Sequence, residues 1–301
     1  MSNKYYYSEV FHSIQGEGHY TGVPTAWLRF HMCNLNCDGF GQKDATDPSS
    51  YILPYQTFDL SSISKVEDLP VWEYGCDSSY TWAKQYQHLM KESTATEMVE
   101  AVIDTMKNEH NPNGLFKHPV SGIDQHMCFT GGEPLMPKAQ KAMVEMFEEF
   151  HAHGNTPRYM TIESNGTQKL RPDFIAKLDR MKQTGILNEF FFSISPKLWT
   201  VAGEKPQKAI KPEVVATYAK VGPGQLKFVV GPKQEQWDEL DSVIKQFRDA
   251  GVDWPVWIMP IGATLEEQDF VAGDVAKMAL DRGYNVAARV HVYLWGNAIG
   301  T

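Results

Sequence analysis

Gln125-His126-Met127-Cys128-Phe129-Thr130-Gly131-Gly132-Glu133-Pro134 reads as a short apolar strand that runs into a glycine turn. The apolar residues that follow, Ala139, Met143, Met146, Phe147 and Phe150, recur at the spacing of one helical face. This strand–helix unit repeats in both directions. Further strands are expected at 25–30, 158–164, 189–194, 225–230 and 255–259, and a last strand-like run lies within 285–294. Each is short, rich in β-branched or aromatic residues, and bounded by Gly, Pro or Asn. Helical spacing recurs at Met98, Val99, Val102, Ile103 and Met106, after a capping-box pattern Thr94-x-x-Glu97. It recurs again at Trp237, Leu240, Val243, Ile244 and Phe247, and more briefly at Phe174, Ile175 and Leu178 and at Val275, Met278 and Ala279. Alternating strands and helices predict an α/β fold with a parallel sheet and crossover helices. Six or seven repeats predict a complete or partial (β/α) barrel, with a doubly wound open sheet as the alternative. In a barrel the chemistry sits at the C-terminal ends of the strands. Only 38–75 breaks the rhythm; it is too long for an ordinary connection, and reads as a functional insertion or lid in a single domain.

The 301 residues are 42% hydrophobic, enough for a sizeable core. The 28 basic and 37 acidic residues leave a net charge of −9. A protein that grips nucleic-acid backbones needs a basic footprint, so no nucleic-acid partner is expected. A small anion held by one or two placed arginines remains compatible. No apolar run approaches the ~20 residues that span a bilayer, and residues 1–10 are polar and tyrosine-rich, unlike a secretory signal. A cytoplasmic protein without a membrane partner is expected. Four cysteines are too few and too unevenly placed for a disulfide scaffold, and suit metal or redox chemistry.

Cys33-Asn34-Leu35-Asn36-Cys37 follows the strand at 25–30, so one loop presents two thiolates. Soft thiolates suit an iron–sulfur cluster or zinc, whereas a bland reading makes them two buried small hydrophobes. The glycines after Cys128 let a ligand approach the backbone. With the cysteine loop, Gly131-Gly132-Glu133-Pro134 resembles the radical S-adenosylmethionine (SAM) superfamily, whose members place three cysteines around a [4Fe–4S] cluster. The usual spacing there is C-x3-C-x2-C, yet the third position here is Phe40. Cys76-Asp77-Ser78-Ser79-Tyr80-Thr81-Trp82 looks like the end of the same motif, displaced by the 38 residues of the insertion. Loop closure grows only logarithmically, by about 0.6 kcal/mol per doubling, so such an interruption is tolerable. Cys76 is therefore expected as the third ligand; Cys128, inside a strand, is the alternative.

Within the superfamily the chain resembles the 7-carboxy-7-deazaguanine synthases (QueE). The likeness is carried by Glu9 to Gly18 with Ile14-Gln15-Gly16-Glu17, by Thr25 to Phe30, by the Cys76 stretch, by Glu163-Ser164-Asn165-Gly166, by Ser195-Pro196-Lys197 and by His291 to Asn297. It implies a lyase that contracts 6-carboxy-5,6,7,8-tetrahydropterin to 7-carboxy-7-deazaguanine with loss of ammonia, in the biosynthesis of queuosine and related 7-deazaguanines. The implied cofactors are the [4Fe–4S] cluster, SAM and magnesium. The implied partners are the pterin, an electron donor such as a flavodoxin, and a second copy in a homodimer.

The resemblance also implies roles. Cys33, Cys37 and Cys76 hold the cluster, and Ser78 presents a hydroxyl to magnesium. Ile14, Gln15, Gly16, Glu17, Thr130 and His291 contact the pterin, and the fork of Arg29 binds its carboxylate. Gly131, Gly132, Glu133, Asn165, Ser195, Pro196 and Lys197 contact SAM, and Lys233, Gln234, Glu235 and Gln236 reach its adenosine. The insertion is expected to leave and return at one point and to fold away from the metal. The rivals are a glycyl-radical activase, a non-catalytic descendant of the fold, and a zinc protein that also uses Cys128.

Overall fold

The computed structural model describes residues 2–296 and 298–300. Among them nine strands form one sheet: β1 Tyr5–Ile14, β2 Pro24–Phe30, β3 Lys91–Ser93, β4 His126–Gly131, β5 Tyr159–Ser164, β6 Glu189–Ile194, β7 Gly224–Val230, β8 Val256–Pro260 and β9 Asn285–Val286. Their order is β3-β1-β2-β4-β5-β6-β7-β8-β9. From β2 onward every neighbour is parallel; β1 runs antiparallel to β2 and to β3. From β4 to β9 the strands follow chain order without reversal, so the sheet lacks the switch point of a doubly wound fold. It does not close either, since β3 and β9 are its free edges. The architecture is a partial (β/α) barrel.

Three parts of the sheet depart from the sequence reading, the first being the unforeseen three-residue edge strand β3. β1 has no apolar alternation: Ser8 and Glu9 are both buried, and the register shifts between Tyr7 and Glu9. A bulge of this kind hides the period-2 signal. The run at 285–294 keeps only the two-residue β9; a short helix, Val290–Trp295, takes the rest. Here docking against the cavity overrides the β preference of Val290 and Val292, and His291 sits on a helix rather than in a strand.

Period-2 alternation decides what each strand offers. Leu28, Phe129, Ile162, Phe192 and Phe228 lie in the large core, where they meet Val102 of the helix Ala95–Thr105, Phe147 of Pro137–Ala152 and Trp237 of Gln234–Asp249. Their neighbours in the chain point the other way. Arg29 is registered with Thr130, and Glu163 with Ser193, so one polar stripe crosses the C-terminal half of the sheet. The helix Ala95–Thr105 starts with the expected capping box of Thr94 and Glu97.

The segment 38–75 builds a small core of its own. Tyr55, Val66, Leu69 and Trp72 pack with Tyr80, Tyr86 and Leu89, which follow Cys76. Its base is pinched, because the Gly75 N–H donates to Phe40 O at 2.8 Å. Expected to fold away, it instead lends Pro70, Trp72 and Glu73 to the wall of the cavity described next. Apolar Pro70, Val71 and Trp72 are better covered there than in water.

Candidate active site

At the C-terminal ends of the strands lies a cavity of about 830 Å³. Its two ends differ in chemistry. One end holds the cysteines. Cys33, Cys37 and Cys76 all line the cavity, and all four cysteines of the chain are free. The loop that carries the first two is shaped by two left-handed residues, Met32 (φ 85°) and Cys37 (φ 58°). Non-glycine residues adopt this conformation only when their surroundings enforce it. Met32 N–H donates to Thr81 O at 2.6 Å, and Glu133 N–H donates to Met32 O at 2.8 Å. A side chain on Gly132 would stand 2.4 Å from Met32 O and 2.8 Å from Cys33 Cβ. The tandem glycines thus let the β4 turn lie directly on the cysteine loop, a requirement of the protein itself as well as of a ligand.

Burial pushes the Cys33 thiol up to about 12, and raises Cys37 and Cys76 above the ordinary thiol value. Buried thiols of this kind become thiolates when a cation shares the site. Among the described residues, no three His, Cys, Asp or Glu side chains converge on one point. Cys128 is fully buried in β4 and is not part of the cavity wall. The Ser78 hydroxyl lies 3.5 Å from Cys76 Sγ, at the same end.

The other end is a knot of charges. Lys227, in the middle of β7, is ion-paired to Glu17 and stands 3.4 Å from Glu163. Arg289 Nε donates to Glu17 Oε1 at 2.9 Å, and His291 is 3.9 Å from the same oxygen. Burial alone would raise Glu17, but Lys227 and Arg289 hold it well below the carboxylate range. Burial likewise opposes the charge on Lys227, and Glu163 and Glu17 hold it above its ordinary value. His291 is lowered by burial, against the pull of Glu17. A Cβ on Gly16 would strike the His291 ring at 2.0 Å, so that glycine makes room for the histidine.

Arg29 also lines the cavity, but its Nε already donates to Glu9 at 2.6 Å. Tyr80 OH donates to the same Glu9 oxygen at 2.8 Å. Glu9 faces Arg29 across the β1–β2 register, and the missing alternation of β1 concealed it.

Most expected positions meet in this one cavity. Ile14, Gln15, Gly16, Thr130, Gly131, Gly132, Asn165, Ser195, Lys197, Lys233 and Gln236 all line it. Four do not. Glu133 is fully buried behind the wall, where its carboxylate accepts from Ser164 Oγ, Leu135 N–H and Asn165 N–H at 2.8–2.9 Å. Burial raises it to about 7. It ties the β4 turn to the β5 turn. Pro196 is absent from the wall that Ser195 and Lys197 form. Gln234 and Glu235 are exposed at the start of the helix Gln234–Asp249, whereas the cap residue Lys233 and the buried Gln236 reach the wall. Asn297 lies outside the described residues. The sequence reading passed over Glu163, Lys227 and Arg289 as site residues. The signal for the first two was present: each is the one charged residue of its strand.

No protein-family model matches the chain. It is 26% identical to a 7-carboxy-7-deazaguanine synthase of Halobacterium salinarum, over 97% of this chain and 90% of that one. It is 25% identical to the enzyme of the same name from Rhodopirellula baltica, over 98% and 88% of the two chains. The crystal structure of QueE from Escherichia coli superposes with a TM-score of 0.51 at 16% identity, covering 96% of this chain and 95% of that one. That structure shares the fold. Among the described residues no helix is long and apolar enough to cross a membrane.

Proposed function

We propose, from the premise that this chain belongs to the 7-carboxy-7-deazaguanine synthase family, that it contracts 6-carboxy-5,6,7,8-tetrahydropterin to 7-carboxy-7-deazaguanine with loss of ammonia. It is a radical SAM lyase of 7-deazaguanine biosynthesis. The observation that carries the reading is the meeting of three free cysteines and a buried carboxylate–lysine–arginine knot in one cavity at the C-terminal strand ends. The family implies a [4Fe–4S] cluster and SAM, and Cys33, Cys37 and Cys76 would hold the cluster. When bound, cluster and SAM supply the means of removing a hydrogen atom from an unactivated carbon.

The chain's own residues do the rest. Glu17, kept ionised by Lys227 and Arg289, and Glu163, 3.4 Å from the Lys227 ammonium, accept hydrogen bonds from the N–H groups of a pterin edge. Arg29 is anchored through Nε on Glu9, and its two terminal nitrogens form the fork for the substrate carboxylate. Pro70, Trp72 and Glu73 wall off water on the opposite side. The lysine of Ser195-Pro196-Lys197 puts a cation beside the cysteine end, where the SAM carboxylate would lie. Magnesium at Ser78, a flavodoxin-type electron donor, a homodimer and a cytoplasmic setting belong to the same proposal. So does the status of 38–75 as an insertion in a single domain.

Turnover tests it. The anaerobically reconstituted protein, given the carboxypterin, SAM and dithionite, should release a product that has lost ammonia, read by mass spectrometry. A protein that binds iron and cleaves SAM but leaves the pterin intact would refute the substrate assignment.

A further inference from the structure

The cysteine loop is held from outside the cavity by a side chain that no motif marks. Glu204 follows the helix Trp199–Ala202 and the left-handed Gly203. Its side chain is only 8% exposed. One oxygen, Oε1, accepts from Asn36 N–H at 2.6 Å and from Cys37 N–H at 2.9 Å. The other lies 3.4 Å from the half-exposed Lys208 ammonium. The contact is close along its length: Gly39 N–H donates to Ala202 O at 3.0 Å, and a Cβ on Gly39 would meet Gly203 N at 2.5 Å. Leu35 and Cys37 pack there against Ala202 and Ala209, with Cys33 and Cys76 at the border.

Two costs need an explanation. Cys37 is a non-glycine residue in the left-handed region, at φ 58°, which its Cβ disfavours. Glu204 is a carboxylate taken out of water beside thiols that must themselves become negative. Both make sense if the carboxylate fixes the loop. Two charge-assisted hydrogen bonds from consecutive amides hold the backbone at Cys37 in its left-handed turn, with the thiol on the cavity wall.

Resting on the radical SAM reading above, we infer that Glu204 is a positioning residue for the cluster: it locks Cys37 in its ligating conformation and places a fixed negative charge behind the cysteine loop. Groups outside the ligands, and charges near them, set the affinity and reduction potential of such centres. The two roles separate in two variants. Glu204→Ala removes the acceptor, whereas Glu204→Gln keeps an acceptor oxygen and removes the charge.

The test is anaerobic iron–sulfide reconstitution of the full chain, with iron and sulfide assays and a redox titration followed by electron paramagnetic resonance. Glu204→Ala should weaken cluster retention by roughly tenfold or more. Glu204→Gln should retain the cluster and titrate at a higher potential. Glu204→Ala with wild-type iron content would overturn the positioning role, and Glu204→Gln at the wild-type potential would overturn the charge role. If Glu204→Ala misfolds by circular dichroism, the potential of Glu204→Gln decides alone. Failure of the wild-type chain to take up iron would instead overturn the radical SAM reading on which the inference rests.

Discussion

Replacing Lys227 by methionine keeps the length and packing of the stem and deletes one buried cation. In the native protein this ammonium meets Glu17 and Glu163 at 5% side-chain exposure. After the change Glu17 keeps Arg289 at 2.9 Å, but Glu163 keeps only the Thr130 hydroxyl at 3.4 Å. Removing one partner of a buried ion pair costs about 3–5 kcal/mol, because a desolvated charge is left behind. Arg289 and the partial exposure of Glu163 favour the lower end, about 3 kcal/mol. Unfolding a chain of this size carries an entropy near 0.6 kcal/mol/K, so the melting temperature at pH 7 should drop by about 5 °C. The loss has a definite pH dependence. Glu17 is held below its ordinary value of 4.5, so its contribution is present above that pH and disappears as pH falls through the folded value. The wild type loses this contribution in acid, whereas Lys227→Met, in which Glu17 is left with Arg289, has already lost the share that Lys227 supplies. The gap between the two melting curves should therefore shrink below about pH 4.5, and Glu163→Gln in the Lys227→Met background should recover part of the stability. Calorimetry at pH 7 and pH 4 reads both effects. Equal stability at pH 7, or a gap that widens in acid, would refute the ion-pair account of the cavity floor.

Cys76→Ala should lose most of its iron after anaerobic reconstitution while Cys128→Ala keeps it, and an iron assay showing the reverse would move the third ligand to β4. Arg29→Lys keeps a charge near Glu9 but loses the planar fork; loss of a charge-assisted hydrogen bond is worth about 1.5–3 kcal/mol, so the pterin KM should rise about tenfold or more with iron content unchanged. His126 stacks on Tyr159 at 5.0 Å, and burial lowers it to about 4, with Asp124 opposing. The unfolded chain therefore takes up this proton first, and stability should fall by roughly 3 kcal/mol as pH drops from 6.5 to 4. Denaturant melts of His126→Phe across that range should show a shallower decline than the wild type; parallel curves would place the acid sensitivity elsewhere.

The strand–helix alternation was legible in the chain because it is a local property. Phe147 and Phe150 mark a helical face, and Leu226 and Phe228 mark the buried side of a strand, by spacing alone. The capping box of Thr94 and Glu97 is equally local, closed within four residues. The cysteines, the tandem glycines and the inward polar residues also announced one chemical end of the sheet. What the sequence left open depended on residues far apart in the chain. Nothing near Glu17 indicates that it meets Lys227, 210 positions away, or Arg289, 272 positions away. The apolar segment Pro70–Trp72 does not say whether it faces a cavity or solvent, and the β-branched Val290 and Val292 read as strand until docking makes them helix. Glu133 read as a ligand contact beside Gly131 and Gly132, which line the cavity, yet it turns behind the wall to join two loops. Local spacing sets which face a side chain takes on its own element, but the partner of a buried charge is chosen only when the elements pack, because a desolvated charge must find its counter-charge wherever the fold brings one.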